Sequence, residues 1–372
     1  MKISTSKPVL QTALQKLSKA VPRRTTLPIL SFVLFEVNKE KTILRSTDLE
    51  ITIMVKLPAT IEKTGSAAIP LQPLLEITNE IQDDRITIAV NKQHKIVITT
   101  DNGMYDLMGK APEEFPALLQ TDSNQDLGID LDTMKAIIEI TSFAVSTDEL
   151  KPALLGVFMR VADDKLTAVA TDGHRLAEYI LKDFEAKEFA GDVIIPRKFL
   201  NLFSTFTTDD VKMLVGENHL VASFGDDTVY TRIIDERYPD YQSVMPTDND
   251  KILLVNRDDI LGAVRRVSIF SNKVSKQIAL HLDEQGVKVT SEDPEKASSG
   301  QEDLLAAKYT GEQLTIGYNA SFLRDIISHI HDDKIIVKLK TPISATLFYP
   351  ETAQENVDIT LLLMPIRLTT NN

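Results

Sequence analysis

Apolar residues recur along the chain with two periods, and the alternation between them repeats three times. Val9, Leu10, Ala13, Leu14, Leu17 and Val21 fall at the spacing of one helix face. Met134, Ile137, Ile138, Thr141 and Val145 repeat that face, and Ile260, Ala263, Val264 and Val267 repeat it again. Short alternating strands follow each predicted helix and end in a polar turn: Ser46-Thr47-Asp48-Leu49-Glu50, Ala170-Thr171-Asp172-Gly173-His174 and Ser291-Glu292-Asp293-Pro294-Glu295. The aspartates of these turns stand 124 and 121 positions apart. An extended stretch then opens a second predicted helix, at Ile69-Pro70 before Leu74-Leu75, Ile195-Pro196 before Phe199-Leu200, and Gly317-Tyr318-Asn319 before Phe322-Leu323. Proline and asparagine suit such entrances. Two-residue alternation returns in 86–90, 211–215 and 335–339, which predicts further strands.

Each unit therefore reads as helix, strands, helix, strands, and the class expected is α+β with antiparallel sheets and the helices gathered on one face. Polar, acidic stretches at 120–126 and 246–250 separate the copies. The expected domains are 1–122, 128–246 and 252–372, each of ordinary domain size. The closing stretch Leu361-Leu362-Leu363-Met364-Pro365-Ile366-Arg367-Leu368 is an apolar run broken by proline. Ends of chains fray unless something holds them, so an apolar one is expected to be docked. Its leucines read as a core strand, and only Met364 onward as ligand-facing.

With 372 residues and 43% hydrophobic content, the chain can bury substantial cores. Zero cysteines exclude disulfides, thiolate zinc sites and cysteine nucleophiles. The sequence has no apolar run of about 18 residues and no signal-type core after Met1, so a cytoplasmic location without membrane contact is expected. A net charge of −13 argues against tight, charge-driven nucleic-acid binding over the whole surface. The charge is unevenly placed, however. Segment 7–24 carries +5 from Lys7, Lys16, Lys19, Arg23 and Arg24, segment 256–276 carries +3, and 196–206 carries +2 from Arg197 and Lys198. The six helical segments together hold +6 and the remainder −19, a relatively basic helical layer on an acidic body. If six such units closed into a ring, twelve helices at roughly 10 Å spacing would set a circle about 38 Å across. Subtracting a helix width of about 10 Å leaves a hole of roughly 28 Å, wide enough for a B-form duplex.

An enzyme is the rival of a different class, with Asp172 and His174 as its natural pair. Catalysis needs a nucleophile or metal within reach of the base, and the chain offers no cysteine, no HExxH, no phosphate-binding GxxxxGK[ST] loop and no Gly-x-Ser-x-Gly elbow. His329 and His331 lie two apart and would diverge on a helix. No catalytic residue, metal or cofactor is expected. Asp172 reads as a turn-fixing aspartate, since Asp48 and Asp293 occupy similar places in units lacking the histidine. A monomeric three-repeat scaffold for proteins alone is a second rival.

The segment Ala170-Thr171-Asp172-Gly173-His174-Arg175-Leu176-Ala177 resembles the bacterial sliding clamps, the beta subunits of the DNA polymerase III holoenzyme. So do Arg24-Thr25-Thr26-Leu27-Pro28-Ile29-Leu30, Ile195-Pro196-Arg197-Lys198, Arg237-Tyr238-Pro239-Asp240-Tyr241 and Met364-Pro365-Ile366-Arg367-Leu368. The resemblance spans the whole chain in order. It implies the DNA clamp fold: three similar domains, helices lining an inner face with sheets outside, and a head-to-tail homodimer closed around double-stranded DNA. Such a ring is a processivity factor, not a catalyst. It tethers the replicative polymerase subunit, and its clamp loader, other polymerases and repair proteins bind through short linear peptides. Enclosure also resolves the charge paradox, because a topological link needs few tight phosphate contacts.

Carried onto this chain, the resemblance implies a partner-peptide pocket lined by Leu154, Thr171, Gly173, His174, Arg175, Leu176, Pro239, Val244, Asn319, Phe322, Ile343, Leu362, Met364, Pro365 and Ile366, with Arg367 nearby. Apolar walls supply burial energy, and methionine adapts to varied partners. Val274 stands where an aromatic is common, Ser243 where a basic residue is, and Lys151-Pro152-Ala153 where aromatic or basic residues often precede Leu154. DNA contact is expected at Arg24, Arg197 and Lys198. The dimer contact is expected from edge-strand pairing, with Tyr105 and Leu107 on one side and Ile269 and Phe270 on the other.

Overall fold

The computed structural model describes every residue except 23, 119–123, 209 and 369–372. Arg23 of the basic segment and residues 120–123 of the first expected linker thus lie outside the described residues. Among the described residues the strand pairings are antiparallel. Among these described residues no helix is long and apolar enough to cross a membrane.

Among the described residues six α-helices occur: α1 (Lys7–Leu17), α2 (Leu71–Glu80), α3 (Leu131–Thr141), α4 (Arg197–Leu200), α5 (Arg257–Val267) and α6 (Ala320–Ser328). The predicted faces are the buried ones. Leu10, Ala13, Leu14 and Leu17 are covered in α1, and Ile260, Ala263, Val264 and Val267 in α5. Asn256 caps α5 by accepting from the backbone N–H of Asp258 and Asp259, and acidic residues in the first turn with Arg265 and Arg266 in the last suit the helix dipole. Asn319 caps α6 in the same way through Ser321 and Phe322.

Two expectations about the helices need correction. The first helix stops at Leu17, although the apolar pattern runs on to Val21. Pro22 has no N–H to bond the Ser18 carbonyl and disfavours the helical conformation at Val21, so the helix does not run on through the pattern. The second helix of the middle copy is a single α turn, α4, followed by 3₁₀ structure over Asn201–Thr205. Its buried residues Phe199, Leu200, Leu202, Phe203 and Phe206 recur at intervals of three, the period of the tighter helix.

The chain packs as two compact units. The first comprises Met1–Asp132, Lys187–Phe189 and Asn201–Ile233. It holds an eight-stranded sheet in the order Gln125–Asp126, Val211–Val215, His219–Phe224, Asp227–Arg232, Ile51–Lys56, Thr42–Thr47, Phe32–Val37, Gly65–Pro70. Gln125 and Asp126, expected as linker, thus form a short edge strand against Val215 and Leu214. A five-stranded sheet in this unit ends on Met104–Met108.

The second unit comprises Thr133–Ala186, Ala190–Leu200 and Ile234–Asn372. Its nine-stranded sheet runs Gly191–Pro196, Gly156–Ala162, Lys165–Thr171, Arg175–Lys182, Val357–Leu363, Thr346–Pro350, Lys334–Leu339, Lys251–Asn256, Lys308–Thr310. A four-stranded sheet of Ser298–Asp303, Gly286–Asp293, Gln277–Asp283 and Leu314–Asn319 completes it. The strand Val357–Leu363 is therefore central, as the leucine run suggested: Leu361 and Leu363 are fully buried, and Leu362 pairs with Leu176 on one side and Leu347 on the other.

Candidate functional site

The turn Thr171–Arg175 joins two strands of the nine-stranded sheet and is fixed by its own side chains. Asp172 Oδ1 accepts from the N–H of His174 at 2.9 Å and of Arg175 at 3.0 Å. Thr171 Oγ1 accepts from Gly173 N–H and donates to Arg175 O at 2.7 Å. Gly173 has φ +90°, a conformation a side chain would strain. Asp48 builds the same turn in the first copy, accepting from Glu50 and Ile51. The aspartate is structural in both, as its recurrence suggested. Asp293 differs, being buried and paired with Lys296 at 2.9 Å.

The closing segment is stitched to this turn and to the second sheet. Met364 N–H donates to His174 O at 2.8 Å, and Ile366 N–H donates to Gly317 O at 2.8 Å. Gly317 allows the close approach: a Cβ there would lie 2.6 Å from Leu368 Cδ2 and 2.8 Å from the Ile366 carbonyl oxygen. Gly317→Val should therefore lift residues 366–368 off the strand and weaken ligand binding at this site at least tenfold, read by calorimetry, with the far-UV circular dichroism unchanged.

Beneath lies one apolar cluster of Phe158, Val169, Leu176, Ile194, Tyr241, Ala345, Leu347 and Leu362, with Ala153, Tyr238 and Met245 at its edge. Above it, Val244, Ile343 and Met364 (38% exposed) present apolar surface to solvent, with Pro239 exposed and Leu154 nearly covered. Burial pushes the Tyr238 hydroxyl well above the usual tyrosine range. Tyr241 is pushed up to about 12 by desolvation and by Glu178, whose own carboxyl is raised by desolvation. Both tyrosines stay neutral at physiological pH, so the floor offers hydroxyls and no tyrosinate charge.

His174 is exposed and its ring stacks on Phe322 at 5.7 Å. Asn319, besides capping α6, points its amide at Ser275 O. Arg367 is exposed at the rim. The sixteen expected pocket residues thus all belong to the second unit, but they do different work. Thr171 is spent on the turn, Leu176 and Leu362 form the floor, and the Arg175 guanidinium is turned inward. Val274 and Ser243 are exposed, Ser243 donating to Asp240 O. A groove of about 1060 Å³ crosses the four-stranded sheet, lined by Gln277, Ile278, His281, Thr290, Thr315 and Leu368. Its lining mixes polar and apolar groups and takes in Leu368 of the closing segment.

Sequence reasoning missed three neighbours of this site: Phe143, Asp325 and His329. His329 and His331 lie just past α6, not on it, and do diverge. His329 stacks on Phe143 at 4.1 Å, whereas His331 Nε2 meets Glu139 Oε1 at 2.7 Å.

Of the expected DNA-facing residues, Arg24 is exposed in the loop after α1, Arg197 opens α4 half-buried, and Lys198 is exposed beside it. Of the expected dimer contacts, Tyr105 and Leu107 lie on the edge strand Met104–Met108, where Met104 is 70% exposed. Ile269 (76% exposed) and Phe270 lie beside the other sheet's edge strand Ser298–Asp303, the Phe270 ring packing against Gly300. Unpaired strand edges flanked by exposed apolar side chains are features monomers normally avoid.

Comparison with known proteins agrees with this architecture over the full length. Models of the DNA polymerase III beta subunit match in order: the N-terminal domain at residues 1–119, the central domain at 128–240 and the C-terminal domain at 242–367. The beta sliding clamp of Pseudomonas putida is 30% identical over 363 residues, covering 95% of this chain and 96% of that protein. That of Chlamydia muridarum is 26% identical over 99% of both. Among solved structures, the Bacillus subtilis sliding clamp superposes with a TM-score of 0.93 at 26% identity, covering 99% of each chain. The Pseudomonas aeruginosa clamp bound to griselimycin superposes with a TM-score of 0.89 at 28% identity, covering 99% of this chain and all of that one. With the three-part clamp fold matched in order and a relative at 30% identity over nearly the whole length, the chain belongs to the DNA polymerase III beta subunits, the beta sliding clamps.

Proposed function

We propose that the chain is a DNA polymerase processivity factor: a non-catalytic accessory subunit that closes head-to-tail with a second copy around duplex DNA and holds a polymerase there by a short peptide. The domains 1–122, 128–246 and 252–372 are its three ring segments. Retention by enclosure suits a chain of net charge −13, because a ring that bound phosphates tightly could not travel. Arg24, Arg197 and Lys198 would face the duplex as sparse, exchangeable contacts. The edge strands Met104–Met108 and Ser298–Asp303 would join across the dimer, with Tyr105, Leu107, Ile269 and Phe270 sealing the seam.

The observation that carries this reading is the exposed apolar surface around Met364, Val244 and Ile343, pinned between the His174 turn and Gly317. A peptide from the replicative polymerase, the clamp loader, another polymerase or a repair protein would bury its apolar side chains there. Primer extension on a long singly primed circle, with polymerase III core and clamp loader, tests it. Product length per binding event should rise more than tenfold when this chain is added; equal lengths with and without it would overturn the reading.

A further inference from the structure

The Arg175 side chain is 11% exposed and held on four sides. Its Nε donates to Asp172 Oδ2 at 3.0 Å and its Nη1 to Asp325 Oδ2 at 2.6 Å. The guanidinium lies 4.7 Å from the ring centroid of Phe322 and 5.3 Å from that of Phe143. Both rings are then fixed in turn. Phe322 stacks on His174, and Phe143 stacks on His329 at 4.1 Å with 16° between planes. His329 Nδ1 bonds Asp325 O at 2.7 Å, which closes the circuit.

These contacts run from His329 through Phe143, Arg175 and Phe322 to His174, and only the last two residues border the peptide surface. A guanidinium is planar with its donors in a fixed fork. Two carboxylates set the plane of Arg175 and two rings pack on it, so the placement of the Phe322 ring is coupled through Arg175 to Phe143 and Asp325. Removing one partner of a nearly buried charge leaves the remainder uncompensated, and the arginine would then turn toward water, taking its stacking on Phe322 with it. Phe143 lies in the short 3₁₀ turn after α3, while Asp325 and Phe322 are on α6 and His329 is its C-cap. The relay therefore ties the end of one helix to the wall of the site.

We propose that Phe143, Asp325 and His329 are positioning residues of the peptide site: they hold Arg175 so that Phe322 and His174 keep the arrangement a ligand binds. This rests on the pocket reading above. It also has a reciprocal consequence, since binding that depends on a contact must in turn perturb it: a ligand seated on Phe322 and His174 alters the environment of His329.

Griselimycin serves as the probe. Phe143→Leu and Asp325→Asn should each weaken its binding at least fivefold by calorimetry, with the melting temperature within a few degrees of the native value, and Phe143→Tyr should restore it. In the native chain the His329 Cε1–H resonance, assigned with His329→Gln, should shift on saturation; in Phe143→Leu it should not. Native binding matched by equal binding in Phe143→Leu, or a His329 resonance unmoved at saturation of the native chain, overturns the relay and leaves the pocket standing. The resonance test needs no variant fold other than the assignment. No binding of griselimycin by the native chain would reject the pocket itself and the relay with it.

Discussion

Deleting residues 364–368 should leave the fold intact and weaken griselimycin, or a peptide copied from the polymerase's clamp-binding segment, by about a hundredfold or more. The strand Val357–Leu363 stays paired on both flanks, with Arg175–Lys182 and Thr346–Pro350, so the nine-stranded sheet loses none of its ladder. What disappears are the two backbone bonds to His174 and Gly317 and the side chains of Met364, Pro365 and Ile366. Burying a methionine or isoleucine against a ligand contributes about 1.5–3 kcal/mol. Losing two such contacts costs about 3 kcal/mol or more, and each 1.4 kcal/mol is about tenfold in affinity. Calorimetry checks this, with circular dichroism as the control for folding. Undiminished affinity in the deleted, folded chain would defeat the assignment of the site.

Changing Ile269 and Phe270 together to Asp should convert the protein to monomers, with sedimentation at 41.5 kDa in place of twice that mass. Ile269 makes few contacts within its own chain, so a carboxylate there costs the monomer little. In a head-to-tail pair each copy contributes this patch to one of two joints. The change therefore places two charges in both joints at once, and burying an unpaired carboxylate against apolar surface costs several kcal/mol. Phe270 packs on Gly300 within the chain, so Ile269→Asp alone is the control that separates dissociation from local loosening. A dimer that persists by ultracentrifugation in both variants would reject the joint.

The repeat was legible because each copy must bury a helix face and a turn must be fixed. Positions 10, 13, 14 and 17 and their counterparts in α5 announce the first, and Asp48 and Asp172 the second. The helix ends were less so. The pattern through Val21 outran the helix because Pro22 acts on backbone geometry that periodicity does not register, and the three-residue spacing from Phe199 to Phe206 was present in the sequence but read as an α period. The site itself was named through resemblance, and its residues fall in one unit, yet the division of labour among them was invisible. Nothing in the sequence ties Arg175 to Asp325, 150 positions away; that pair exists because α6 packs against the strand Val357–Leu363, which lies beside Arg175–Lys182 in the sheet. Periodicity alone does not mark an edge strand, because an edge is defined by the neighbour it lacks; Tyr105 and Leu107, expected at an edge, do lie on one.

Retention on circular against linear DNA bears most directly on enclosure. Loaded onto a nicked circular duplex with a clamp loader and separated from free protein, the chain should stay bound through gel filtration. Cutting the circle once should then release most of it within minutes, while capping the cut ends with bulky proteins restores retention. Equal loss from circles and linear molecules, or persistence on uncapped linear DNA, would contradict a ring held by topology.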